Sequence, residues 1–338
     1  QFSSEANIKL SIESIGAIER FKDDVGQETD FHQDGYLFLL SEPANVQAFQ
    51  RNVALQKRLG VDVQWLTPDD AARLTPGLRT DGVTGATFCQ KDGIADPNGI
   101  TMGFAKAAQA LGVEIVRETE VTGVRVQAGR IQGVDTSRGA VDAPIVVNAA
   151  GPYARRIGDM IGVDTPVTPV RHHIFIAQPA SRTADNPSAF PGAPSNHLMV
   201  IDFETTFYFH REGANLLFGM ADREEQPGFD LSVNWEFLER VTPIAVRRLP
   251  ALADASISHA WAGLYEMTPD AMPIIGPAGE PDGYYMITGF SGHGFQHSPA
   301  AGRILADVIA GRDPQFDLSP FAYARFAKGE TEREANVV

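Results

Sequence analysis

The sequence predicts a mixed α/β protein in which an antiparallel sheet is inserted into a parallel-sheet part. Three observations predict it. "APIVVNAAG" (143–151) is a continuous apolar run ending in small residues, which suits a central strand buried on both faces. Residues 166–262 hold four strand candidates with at least one helix between them. "GYYMITGFSGHGFQHSPAAGR" (283–303) then reads as strand, glycine loop and helix.

The 338 residues suffice for roughly two domains with a buried core. Lys and Arg number 28 against 43 Asp and Glu, a net charge of −15 that opposes binding to nucleic acid or anionic membranes. Cys89 is the single cysteine, so an internal disulfide and a cysteine metal cluster are excluded, and a reducing, cytoplasmic setting is expected. The apolar runs fall short of the ~20 residues of a membrane span, so no transmembrane helix is expected. The chain opens on Gln1 without an initiator Met or signal segment, and an upstream piece removed or left out is expected.

In chain order, residues 4–22 place Ile8, Ile12, Ile15 and Ile18 at helical spacing, with Leu10 beside the stripe. "DGYLFLL" reads as a buried strand, and "NVQAFQRNVALQKRLG" as a helix closed by Gly60. Thr67 and Pro68 open a short helix as N-cap and first residue. "DPNGITMGFAKAAQALG" is a further helix; "VEIVRETEVTGV" onward gives a strand, a turn and a hairpin around Ala128 and Gly129. The inserted sheet is expected from "VTPVRHHIFIAQP", "HLMVIDF", "TTFYFHREGANLLFGM", turning at "REGAN", and "SISHAWAGL", with the helix in "SVNWEFLERVTPIAVRRLP".

The glycine loop carries the chemistry. Ser298 is expected to cap the last helix with Pro299 at its first position and Gly311 closing it. The helix dipole and free N–H groups then favour negative charge at the loop, and Gly292 and Gly294 admit a planar or anionic ligand close to the backbone. "GHGFQH" has His297 where a dinucleotide fingerprint needs its third glycine, so a pyrophosphate role is not expected; a turn that merely joins two elements is the plain alternative. His172 and His173 point to opposite faces of a strand, Pro299 argues against a continuous helix under His293 and His297, and no G-x-S-x-G elbow occurs. Neither a metal site nor hydrolase chemistry is expected.

"VVNAAGPYARRIG" (146–158), "WAGLYEMTPDAMPIIG" (261–276) and "GFSGHGFQHSPAAGR" (289–303), with "DGIADPNGI" and "DLSPFAYARF", resemble the FAD-dependent D-amino-acid oxidase superfamily. The branch they resemble most holds sarcosine oxidase β subunits, sarcosine and dimethylglycine dehydrogenases and glycine oxidase. The resemblance implies a Rossmann-like FAD-binding domain from 1–30, 95–165 and 263–330, N-terminally incomplete, and a substrate domain with a mixed or antiparallel sheet from 31–94 and 166–262. It implies a flavin ring against Gly292, His293, Gly294, Phe295 and Gln296, with Gly289 and Gly263 nearby, and a helix N-terminus that stabilises anionic reduced flavin. Val121 resembles the residue whose backbone meets the adenine; Ala149, Ala150 and Gly151 resemble small residues beside the FAD, although small residues at a strand end also serve helix packing. Tyr153 stands where the pattern often has Trp.

Three departures qualify the resemblance. Gly263 replaces the cysteine that links flavin in monomeric sarcosine oxidases, so non-covalent FAD is implied there. Gln296 replaces a lysine associated with oxygen reactivity, which favours a dehydrogenase. The matching region begins after the G-x-G-x-x-G unit, so roughly fifty residues of the pattern are expected to be absent, cleaved, or supplied by another chain or subunit. The expected activity is oxidation of the C–N bond of a small amine or N-methyl amino acid by hydride transfer to flavin. Tyr265, His293, Gln296 and Arg171 are the candidate catalytic groups, Arg171 either for a substrate carboxylate or as a surface arginine. The alternatives are a non-catalytic partial subunit serving as scaffold, and hydroxy-acid or glycerol-phosphate oxidation on the same fold.

Overall fold

The computed structural model of the chain describes residues 1–179, 190, 193–329, 331 and 333–337. An eight-stranded sheet is assembled from β1 (Tyr36–Leu40), β2 (Val63–Leu66), β3 (Gly85–Cys89), β8 (Thr168–Gln178), β9 (Met199–Asp202), β10 (Phe207–Glu212), β11 (Asn215–Met220) and β12 (Ser256–Met267). Its order is β12-β8-β11-β10-β9-β1-β3-β2. Every neighbouring pair is antiparallel except β1 and β9, so the sheet is mixed. Two smaller sheets accompany it: β4 (Val121–Gln127), β5 (Arg130–Thr136) and β6 (Gly139–Asp142), then β7 (Val146–Asn148), β13 (Ile274–Pro277) and β14 (Tyr284–Thr288).

Strand register divides the large sheet into two faces. Tyr36 lies opposite Met199, Phe38 and Tyr208 opposite Ile201, and His210 opposite Leu217; Gly219 faces both Tyr208 and Ile174, and Ile174 faces Trp261. Side chains alternate along a strand, so these residues, with Gly263 and Tyr265 further along β12, share one face. The intervening residues Leu37, Val200, Phe209, Phe218 and Phe175 form the other face, closed by Phe237, Val241 and Ala245 of α7 (Trp235–Arg248) into the main core. Asn234 caps α7 by accepting from the N–H groups of Glu236 and Phe237. Buried Arg248 near its end donates to Asp202 Oδ2 at 2.5 Å and to the carbonyls of Arg79 and Asp81, fastening the helix to β9.

Local signals act as their chemistry dictates. Thr67 and Asp70 exchange side-chain and backbone hydrogen bonds at the head of α4 (Pro68–Leu74). The β4–β5 turn runs through Ala128 at φ 50° and Gly129 at φ 76°, and β10 turns into β11 through Gly213. Gly60 at φ 90° follows α3 (Pro43–Arg58).

Three expectations about apolar patterning fail. Residues 4–22 divide into α1 (Glu5–Glu19) and α2 (Phe21–Val25), and α1 buries Ile8, Leu10, Ser14 and Ile18 while Ile12 is 45% exposed. The reason is its packing against α8 (Gly294–Ile309): Ser14 Oγ donates to the His297 carbonyl and accepts from Ala300 N, which turns the Leu10–Ser14 side inward. "APIVVNAAG" is not a doubly buried strand. β7 has three residues, pairs only with β14 among the described strands, and leaves Val147 40% exposed. "VEIV" (113–116) likewise forms no strand, and Val113, Ile115 and Val116 are exposed. No described helix is long and apolar enough to cross a membrane.

Candidate functional site

β7 and β14 run parallel, with Val146 opposite Tyr284 and Asn148 opposite Met286, so their C-terminal ends emerge side by side. Such strand ends are where open α/β sheets take ligands. Ala149, Ala150 and Gly151 leave one strand there, and Gly289 to Gln296 leave the other. Thr288 Oγ1 donates to the Gly151 carbonyl at 3.3 Å and to Glu266 Oε2 at 2.8 Å, which also accepts the Gly289 N–H at 2.9 Å. Glu266, on β12, therefore binds the two loops to the large sheet. A Cβ on Gly151 or Gly294 would stand 3.6 or 3.7 Å from its carboxylate.

The glycine loop folds back sharply: Gly289, Ser291 and Gly292 have φ of 76°, 53° and 92°. For buried Ser291 that left-handed backbone is costly, and two bonds to β12 and its end hold it. Its N–H donates to the Glu266 carbonyl at 3.2 Å, and its Oγ accepts from Thr268 N at 3.1 Å. Gly292 has no alternative residue, because a Cβ there would lie 2.3 Å from Tyr265 Cε2.

α8 begins at Gly294, five residues before Pro299, its expected first residue, and both Ser298 and Pro299 lie inside it. Pro299 has no N–H for the Phe295 carbonyl, and a proline in a helix interior normally breaks the ladder at that bond. Ser298 Oγ supplies the missing donor, reaching the Phe295 oxygen at 2.9 Å. The helix N-terminus thus coincides with the glycine loop, where the N–H groups of Gly294, Phe295 and Gln296 belong to the first turn and have no partner in the helix itself. His293 and His297 also become successive turns of one structure, His297 N–H donating to the His293 carbonyl. His297 Nε2 lies 3.0 Å from Ser11 Oγ, and the two rings are 6.3 Å apart.

A cavity of about 550 Å³ opens between this loop and the exposed face of the large sheet, within the range of small-molecule sites. Gly292, His293, Phe295 and Gln296 line one side, Tyr36, Phe38, Tyr208, Trp261 and Tyr265 the other. Tyr265 stacks on His172, ring centroids 3.6 Å apart and planes 14° from parallel, while His173 turns to the core and accepts from Asn234 N–H. Gly263 lies in register with His172, and a Cβ there would meet nothing within 4 Å. Burial lowers the pKa of His172 and His293 to about 4, and burial raises those of Tyr36, Tyr208 and Tyr265, so these groups are neutral near pH 7.

Of the predicted residues, Tyr265, Gly292, His293, Phe295 and Gln296 line the cavity, whereas Arg171, Val121, Ala149, Ala150, Gly151, Gly263, Gly289 and Gly294 are not among its lining residues. Arg171 is held by Glu225 at 3.1 Å, by Asp230 and by the Ser232 carbonyl, so its charge is already paired with two carboxylates of the chain. Val121 opens β4 opposite Thr136 and is not among the cavity's lining residues. Sequence reasoning missed Glu266, Tyr36, Tyr208 and Trp261. It also missed His32 and His197, stacked 4.0 Å apart and each beside a carboxylate, Asp30 or Asp34. With Asp34 they form the group among the described residues that could hold a metal ion, their ligand atoms all within 4.8 Å of one another.

The cradle suits a flat, electron-accepting ring: a glycine loop that approaches within contact of Tyr265, a first helical turn facing the same space, and open room over Gly263. Comparison with known proteins agrees. The chain is 29% identical to rat mitochondrial dimethylglycine dehydrogenase over 96% of its length, spanning 39% of that longer protein. It is 30% identical to bovine FAD-dependent oxidoreductase domain-containing protein 1, over 99% of this chain and 75% of the other. The crystal structure of L-proline dehydrogenase from P. horikoshii superposes with a TM-score of 0.88 at 33% identity, covering 98% of this chain and 86% of that one. The model of the FAD dependent oxidoreductase family, DAO, matches residues 2–308, and the chain belongs to that family.

Proposed function

We propose that the protein oxidises the C–N bond of a small amine or N-alkyl amino acid as a dehydrogenase with non-covalently held FAD. The observation that carries this reading is the convergence of the Gly292–Gln296 loop, the α8 N-terminus and Tyr265 on one cavity. Bound FAD would supply the two-electron acceptor for hydride leaving the carbon next to nitrogen. The first turn of α8 would favour negative charge arriving at the loop. Tyr265, fixed between His172 and Gly292, and neutral His293 orient what lies between them, and the aromatic wall keeps water out. Gln296 offers no cation to assist oxygen, which supports transfer of electrons to another acceptor. The names of the dimethylglycine and proline dehydrogenases support a C–N bond as the target.

The test is spectroscopic. The full gene product should be yellow, bleach anaerobically with a secondary or tertiary amine or amino acid, and regain colour slowly in air. A folded full-length preparation that stays colourless when FAD is added overturns the reading. Bleaching by hydroxy acids alone would move the reaction to C–O chemistry.

A further inference from the structure

We infer that His32, Asp34 and His197 form a site for one divalent transition-metal ion of the Zn²⁺ class, which fastens the entry of β9 to the entry of β1. Two imidazoles and a carboxylate suit Zn²⁺, Cu²⁺ or Ni²⁺, whereas Mg²⁺ and Ca²⁺ take oxygen ligands. The three ligand atoms lie within 4.8 Å of one another. Asp34 and His197 are 163 residues apart in the chain, so the fold alone brings the group together.

Much of the site is already assembled. Asp34 Oδ2 accepts the His197 backbone N–H at 2.9 Å, which holds the carboxylate in place, and stands 3.3 Å from His197 Nδ1. Two donors that share an ion at about 2.1 Å are themselves roughly 3–3.5 Å apart, so this pair has the separation of a chelate. His32 stacks on His197, with planes 24° from parallel, and a turn of its 37% exposed side chain closes the remaining distance. Asp30 Oδ1 lies 2.9 Å from His32 Nε2. A carboxylate only accepts, so Nε2 carries the proton and Nδ1 keeps a lone pair for an ion, the arrangement by which outlying carboxylates orient metal-binding histidines.

The backbone beneath these ligands is fixed. His32 exchanges N–H bonds with Ile94 at 2.9 and 3.1 Å, and Met199 N–H donates to the Gly35 carbonyl at 3.1 Å. A Cβ on Gly93 would lie 2.1 Å from the His32 oxygen, so the two segments touch directly. Ligands held this way lose little freedom when an ion arrives. Phe31, Ile94 and Met199 line the cavity, so an ion on the neighbouring ligands braces its wall. The three ligands are not among the lining residues, and the inference stands apart from amine oxidation.

The full-length protein, stripped with a chelator, tests this by calorimetric titration with Zn²⁺ alone. One equivalent should bind with Kd at or below about 10 μM. His32→Gln and His197→Gln should each weaken binding at least about 100-fold and Asp30→Ala about tenfold, while exposed His259→Ala leaves it unchanged. Zn²⁺ at about a hundredfold above Kd should raise Tm by about 3 °C in the wild type and not in the histidine variants. Cu²⁺ on the wild type should show an electron paramagnetic resonance spectrum coupled to two imidazole nitrogens, and to one in either variant. No uptake of Zn²⁺ or Cu²⁺ below about 1 mM, or uptake that both histidine substitutions leave unchanged, overturns the inference and makes the group two hydrogen-bonded His–Asp pairs. Where a variant fails to fold, the wild-type Cu²⁺ spectrum decides: coupling to two nitrogens supports the site, and its absence overturns it.

Discussion

A Cβ on Gly292 would stand 2.3 Å from Cε2 of Tyr265, so the glycine loop and the large sheet meet without a side chain between them. Gly292→Ala therefore carries two penalties, a left-handed backbone at φ 92° and a displaced Tyr265 ring. We expect a loss of about 2 kcal/mol or more, a fall of several degrees in Tm for a chain of this size, and weakened flavin retention. Thermal unfolding followed at the flavin band measures both; a variant indistinguishable from wild type would mean that the close approach does not constrain the site.

Ser298→Ala should expose the bond that Pro299 cannot make. The Phe295 carbonyl loses its donor, at a cost of about 1 kcal/mol, and the first turn of α8 loosens. Hydrogen exchange at the amides of residues 296–298 should quicken while exchange in the Ile304 turn stays unchanged. Uniform exchange across the helix would contradict this division.

Stability should fall with acid in a defined window. Burial depresses His172 and His293 to about 4 in the folded protein, against about 6.5 when unfolded, so between those values the unfolded chain binds more protons. The contribution is complete above pH 6.5 and is lost as pH falls toward 4. Urea unfolding at pH 7 and pH 5.5 should differ by about 1 kcal/mol for each group, and His293→Asn should remove its share of the slope.

Arg248 and Asp202 form a buried pair on the side of the sheet away from the cavity. Arg248→Met leaves Asp202 buried without its cation, at a cost of about 3–5 kcal/mol. The urea midpoint should drop accordingly, and the double variant Arg248→Met with Asp202→Leu should recover part of the loss. Equal losses in the single and double variants would deny the pairing.

What was legible in the sequence was local. The Thr67 cap, the Gly213 turn and the opposed His172 and His173 each depend on neighbours within a few residues, so their chemistry is written where it acts. The start of α8 was misread because the proline rule ignores what the preceding side chain can donate, and Ser298 donates the bond that the rule assumes lost. The sequence leaves Arg171 open between a substrate carboxylate and a surface role because its partners, Glu225 and Asp230, lie 54 and 59 residues away. Glu266 stood inside a quoted motif, but its role exists only once Thr288 and Gly289 arrive from the neighbouring sheet. Tyr36, Tyr208 and Trp261 come together through the pairing of six different strands, a relationship that no single-strand pattern contains.

The alternation along β1, β9 and β10 has a consequence for how such a protein can change. Tyr36 and Phe38 of β1, Tyr208, His210 and Glu212 of β10, and Met199 and Ile201 of β9 look into the cavity; Leu37, Val200 and Phe209 are packed beneath α7. Substitutions at Leu37, Val200 or Phe209 spend stability and leave selectivity alone, whereas those at Phe38 or Ile201 reshape what enters and also draw on the buried cluster with Leu40 and Phe49. A combinatorial library at the cavity positions would therefore explore new ligands best with Phe38 and Ile201 held fixed.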